Sequence, residues 1–190
     1  MKLSMAALAA ALVLGTAGAG RCAPPPAPAA RLVAEAAAAA RAHGKSVMVI
    51  FHATWCGWCK RLDKVMEEPA LKKVIDARFV VAHLDVMERG EPAKTVENPG
   101  GMKLLGEWGG QESGLPFMVI LNAAGRRVAD SNAMPKTPQS ANPNIGYPGL
   151  PAEIEAFVSM LKKGAPKLTA AEADTVRRVF TKNAPSASGH

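Results

Sequence analysis

The chain has too few cysteines to be held together by them. Three in 190 residues, two of them close-set and one odd, staple almost nothing, so a disulfide scaffold is excluded and their use must be local. A membrane span is also missing: the apolar run from Met5 to Leu14 is shorter than the ~20 residues that cross a bilayer, and no later stretch does better. The chain is basic, with a formal charge of +7, but nucleic-acid binding lacks its usual footprint. The basic residues fall in scattered pairs (Lys60-Arg61, Lys72-Lys73, Arg126-Arg127, Lys162-Lys163, Arg177-Arg178) without interleaved aromatics, as on solvated helix and turn faces. There is no internal repeat.

What is present fits one globular domain with appendages. Residues 1–19 have the form of a secretory signal: Lys2 gives the positive start, an Ala/Leu run follows, and Ala17-Gly18-Ala19 offers small residues for cleavage near Gly20. Removing it takes the charge from +7 to +6, since Lys2 is its one charged residue. After cleavage no membrane insertion is expected, and the protein is placed outside the cytoplasm, periplasmic or secreted. Cys22 follows Arg21, where lipid attachment would want a small residue, and reads as a loose thiol. Residues 20–29 form a flexible Ala/Pro spacer, 30–182 the domain, and 183–190 a disordered tail.

Within the domain, Val47 to Phe51, Phe79 to Leu84 and Phe117 to Leu121 are continuous apolar runs, the pattern of strands covered on both faces in an α/β sandwich. Helices are predicted at 29–43, 57–67, 70–77, 101–108, 152–163 and, behind the capping box Thr169-Ala170-Ala171-Glu172, at about 170–182. Asn122 to Gly125 suits a hairpin turn into a short strand, Arg126 to Asp130. Residues 131–150 carry Pro135, Pro138, Pro143 and Pro148 among Asn, Ser and Gly and form no regular element. A loop of this length is either functional, docked on a partner, or a simple surface insertion.

The chemistry centres on Trp55-Cys56-Gly57-Trp58-Cys59-Lys60, which follows a buried strand and opens a helix. A cysteine at a helix N-terminus faces unpaired N–H groups and the positive end of the dipole, which favour thiolate. Lys60 and Arg61 add positive charge. Cys59, three residues on, shares a helix face with Cys56 and is within reach of its sulfur. A zinc site lacks a second Cys/His pair at ligand spacing, since His43, His52 and His83 are not so arranged. Covalent haem lacks the His after Cys59. No metal or cofactor is called for. Thiol–disulfide exchange remains, with Cys56 attacking and Cys59 resolving, against a vestigial or metal-binding pair.

The run Val47 to Cys59 resembles the active-site strand and helix start of thioredoxin-like proteins, especially exported bacterial ones. Val80 to Val86 resembles the family's next strand, and Gly114-Leu115-Pro116-Phe117 its proline loop. The resemblance covers about residues 30–163 and implies a central mixed sheet flanked by helices, here with a Pro-rich insertion and an extra C-terminal helix. It implies a cis bond at Pro116, a Leu115 backbone free to pair with an extended substrate, and a docking surface that includes Trp55 and Trp58. Two departures stand out. Ile50 occupies the place of the family's buried acid, and His52 and His83 replace its usual Trp and Lys; either imidazole is a candidate proton acceptor or an ordinary histidine.

The implied function is reduction or exchange of disulfides in exported protein substrates, fed by a membrane or soluble electron donor. Oxidase or isomerase action uses the same residues. A non-catalytic binding module or chaperone is a different class of answer on the same fold, and copper handling a third, drawn from nine methionines.

Overall fold

In the computed structural model, residues 24–136 and 141–185 are described; residues 1–19, where a signal is expected, Cys22 and residues 186–190 lie outside them. Seven residues at the centre, β1 (Ser46–His52), pair in parallel with β2 (Phe79–Asp85) and antiparallel with β3 (Phe117–Leu121). With β4 (Arg127–Asp130) antiparallel to β3, the order is β2-β1-β3-β4. The sheet is mixed, as the resemblance implies.

Both faces of β1 are covered, which explains its unbroken apolar run. Val47, Val49 and Phe51 lie in one cluster with α1 (Ala29–Ala42) and Leu105 of α5 (Gly101–Glu107). Met48 and Ile50 lie in another, with α2 (Gly57–Met66), α3 (Pro69–Arg78), α6 (Pro151–Gly164) and α7 (Ala170–Lys182). Ile50, at the position of the missing acid, is 1% exposed in this second cluster. The capping box forms as predicted: Thr169 Oγ1 accepts from the Glu172 N–H, and the Glu172 carboxylate accepts from the Thr169 N–H. The hairpin turn closes with the Gly125 N–H donated to the Asn122 carbonyl. Gly164 lets α6 lie close on β3, since a Cβ there would meet Ile120 Cγ2 at 2.1 Å.

Three expectations need correction. A short helix, α4 (Pro92–Thr95), went unread; four residues are too few for a periodicity to show. The end of the spacer is tied down, because Asn98 Nδ2 donates to the Ala27 carbonyl and the Ala29 N–H to that of Pro99. Asn183, assigned to the tail, accepts at its carbonyl from Arg61 and from the Tyr147 hydroxyl, and its amide donates to Glu68. Those bonds need partners 36 to 122 residues away, and no local pattern encodes them.

The described part of the 131–150 loop has no helix or named strand, only an antiparallel bridge between Asn132 and Asn144. It is nonetheless part of the core: Ile145 and Tyr147 are 3% and 6% exposed and pack in the α6/α7 cluster.

Candidate functional site

Strand β1 ends at His52, and Ala53 to Trp55 make a turn in which the Cys56 N–H donates to the Ala53 carbonyl. Cys56 is then the N-cap of α2, with its sulfur accepting from the Cys59 N–H at 3.1 Å. This is the orphan-donor arrangement predicted for a helix start. The two cysteines are joined by a disulfide, with their Cα atoms 5.3 Å apart. Cys56 is 4% and Cys59 1% exposed, so the order of exposure is as predicted but the difference is small in the oxidised form. Both pack with Ala53 and against Leu115.

The two flanking tryptophans are exposed, 43% for Trp55 and 41% for Trp58, and each is held on one side. The loop after β2 secures Trp55: its indole donates to the Met87 carbonyl at 2.8 Å, and the Arg89 guanidinium lies 4.0 Å from its ring centre. Glu88 from the same loop accepts from both the N–H and the hydroxyl of Thr54, at 2.5 and 2.6 Å. Trp58 stacks on Tyr147 of the insertion, with ring centres 5.7 Å apart. Arg61, predicted to lend charge to the sulfur, is occupied elsewhere: it lies over Tyr147 and Trp58 and donates to the Asn183 carbonyl.

The Leu115–Pro116 bond is cis. Asn144 of the insertion braces this loop from behind: its Nδ2 donates to the carbonyls of Ser113, Gly114 and Pro116 at 2.9, 3.3 and 3.1 Å. Its Oδ1 accepts from the Ser131 hydroxyl and the Gly146 N–H. Leu115, amid those braced carbonyls, has no backbone hydrogen bond to any described residue.

His52 and His83 come together at the end of β1 and β2, with ring centres 5.0 Å apart. His83 Nε2 lies 3.2 Å from Asp63 Oδ1. His52 Nε2 is 3.3 Å from Asp85 Oδ1 but not aligned as a hydrogen bond, so the contact is Coulombic. Burial holds the His52 imidazole below its ordinary 6.5, against the pull of Asp85. Burial also holds the Asp85 carboxyl above its ordinary 3.8, with His52 opposing. Among the described residues no set of three or more His, Cys, Asp or Glu is placed to hold a metal.

The sign of the pH effect follows by linkage. Just below pH 6.5 the folded state binds fewer protons at His52 than the unfolded chain, so the stability neutral His52 contributes is complete above 6.5 and drains as the pH falls. The Asp85 contribution runs the other way at lower pH, complete below 3.8 and lost as the pH climbs through its folded value. His83, Asp63 and Glu88 act on both groups. The urea midpoint of the wild type is therefore expected to drop between pH 7 and pH 5, and that of His52→Phe to drop less. Equal drops would remove His52 from the cause.

Of the predicted site residues, Cys56, Cys59, Trp58, Leu115 and Pro116 are brought together, and Trp55 adjoins them. Glu88, Asn144 and Tyr147 were missed. The first lies in an unpatterned loop and the other two in a Pro-rich one, and only the fold brings them to the cysteines.

A model described as thioredoxin-like matches residues 29–123. A protein disulfide-isomerase of Ricinus communis is 39% identical over 57 residues, covering 30% of this chain and 11% of that protein. A thioredoxin of Mycobacterium bovis is 43% identical over 53 residues, 28% of this chain and 44% of that one. The chain thus spans about a tenth of the length of the plant isomerase and under half of the thioredoxin. Among solved structures, a disulphide isomerase from Xylella fastidiosa Temecula1 shares 27% identity at a TM-score of 0.46, over 55% of this chain and 73% of that one.

Proposed function

The chain belongs to the thioredoxin-like family, and from that membership we propose that it is a thiol–disulfide oxidoreductase that reduces or exchanges disulfides in exported proteins through Cys56 and Cys59. The observation that carries this reading is the Cys56–Cys59 pair at the start of α2 beside the Leu115–Pro116 loop. Export rests on the signal-like pattern of residues 1–19, and the proposed domain spans 30–182.

In the reductive direction the Cys56 thiolate attacks one sulfur of a client disulfide. The client S–S bond breaks, its other sulfur leaves as a thiolate and takes a proton, and a mixed disulfide remains. Cys59 then gives up its proton and attacks the Cys56 sulfur. The mixed bond breaks and the second client thiolate departs, so two electrons have passed to the client and the Cys56–Cys59 disulfide is left. A dithiol donor returns the pair to its reduced state. The same steps reversed describe an oxidase, and direction depends on the donor and on the stability of the Cys56 thiolate. The N–H of Cys59 and the α2 terminus favour that thiolate.

Insulin reduction with dithiothreitol as donor tests the class of activity. The expected result is precipitation of the insulin B chain well above the uncatalysed rate; no acceleration would leave a binding module. The reduction potential of the pair tests direction: a value near about −270 mV fits a reductase, and one near about −120 mV a disulfide donor.

A further inference from the structure

Beside the cysteines the Pro-rich insertion and the proline loop enclose a groove of about 320 Å³, walled by Trp58, Leu115, Tyr147, Leu150 and Pro185. We propose that this groove binds a bulky apolar side chain, Phe or Leu in kind, of an extended client peptide, next to the cysteine whose disulfide is exchanged. The inference rests on the redox reading above and names the class of substrate it selects.

Three observations carry it. The first is position: Trp58 and Leu115 line the groove, Leu115 packs against the two cysteines and Trp58 stands between them in the chain, so a client joined to Cys56 through sulfur lays its neighbouring residues here. An extended chain advances about 3.3 Å per residue and turns alternate side chains to the same face, which brings a residue near the cysteine over the opening.

The second is the state of the polar groups. Ser113, Asn142 and Asn144 spend their side chains on Gly109, Asn132, Ser113, Gly114 and Pro116, the insertion binding itself to the proline loop. The Glu153 carboxylate accepts from the N–H groups of Gly149 and Leu150, and the Tyr147 hydroxyl donates to Asn183. The hydroxyls and amides are engaged within the protein, and the one formal charge, on Glu153, is held through Oε2 by N–H groups at the start of α6, so the walls of the groove are mainly apolar carbon. The backbone of Leu115, without a partner among the described residues, remains to align the client strand.

The third is exposure. Of the four large apolar side chains most open to solvent among the described residues, Trp58 and Leu150 stand on this groove and Trp55 adjoins Cys56. Leu150 is 56% exposed at the N-cap of α6, and with Trp58 it gives the groove an open apolar rim of the kind that marks ligand-binding grooves.

The test separates binding from chemistry. Short linear peptides carrying S-methylcysteine, which cannot exchange, are prepared with Phe, Leu, Ala or Glu beside it and titrated into the oxidised protein while backbone amide shifts are followed. The Phe and Leu peptides are expected to bind about tenfold tighter than the Ala and Glu peptides, with shifts centred on Leu115, Gly146 and Leu150. Leu150→Glu, at an exposed helix start that suits an acid, is expected to cut that ratio below threefold, its fold checked by its urea midpoint. Equal affinities in the wild type, or shifts that map elsewhere, overturn the proposal. So does a concentration-dependent dimer that Leu150→Glu dissolves, since the groove then belongs to a second copy of the chain. Failure of insulin reduction with the peptide preference intact would instead overturn the redox reading, and reduction with no preference would overturn the groove alone.

Discussion

Serine in place of Cys59 is expected to turn the protein into a trap that accumulates mixed disulfides with its clients, while Cys56→Ser accumulates none and both lose insulin reduction to background. The roles follow from the two ends of one helical turn. Cys56 is the N-cap, its sulfur receiving the Cys59 N–H, and a thiolate there gains from the free donors and the dipole. Cys59 lies one turn into α2 at 1% exposure, reachable by the Cys56 sulfur but scarcely by a client. Removing the second thiol therefore stops the cycle after the first bond has formed, and removing the first stops it before any bond forms. Non-reducing gels and mass spectrometry of the captured adducts read the difference. In the reduced wild type, limiting iodoacetamide is expected to label Cys56 first, with a pH midpoint below the roughly 8.5 of a free thiol. Trapping by Cys56→Ser instead, or equal labelling, would reverse or dissolve the assignment.

What made the site legible from sequence is that its central parts are local. A buried strand, a Trp-Cys-Gly-Trp-Cys turn and a helix start occupy fourteen consecutive positions from Val47 to Lys60, and each has its own chemical signature. The same holds for the Thr169–Glu172 box and the Asn122–Gly125 turn, whose bonds span two to four residues. The surroundings of the site are not local. Glu88 reaches Thr54 across 34 positions, and Tyr147 lies against Trp58 only because Ile145 and Tyr147 plug the α6/α7 cluster. In sequence, Pro-Asn-Ile-Gly-Tyr-Pro reads as surface loop, since proline and glycine announce the lack of a regular element but say nothing of burial. The His52–Asp85 contact was equally hidden: it depends on the parallel register that sets those two residues side by side.

Asn144→Ala is expected to cost about 3 kcal/mol of stability and to slow insulin reduction about tenfold, although the residue touches neither sulfur. Its amide stands in a chain of bonds that begins on the sheet. The Met118 N–H of β3 donates to the Ser131 hydroxyl, that hydroxyl donates to Asn144 Oδ1, and Asn144 Nδ2 is shared among the carbonyls of Ser113, Gly114 and Pro116. Ser131 is fully buried, so its hydroxyl would be left without an acceptor, and the carbonyls of Gly114 and Pro116 would lose the Asn144 donor, while that of Ser113 keeps Asn142. A buried polar group stripped of its partner costs about 1–3 kcal/mol, and part of that returns where water reaches the loop. The loss of activity has a separate origin: with the carbonyls of Gly114 and Pro116, on either side of Leu115, unbraced, Leu115 is held less firmly beside Cys56 and Cys59, and a misplacement of about 1 Å is enough for large rate losses. Urea denaturation should show a lower midpoint with an unchanged slope, marking a change in stability and not in the compactness of either state. A shift under 1 kcal/mol with normal insulin turnover would mean that Ile145 and Tyr147 alone seat the insertion and that the amide is incidental to the site.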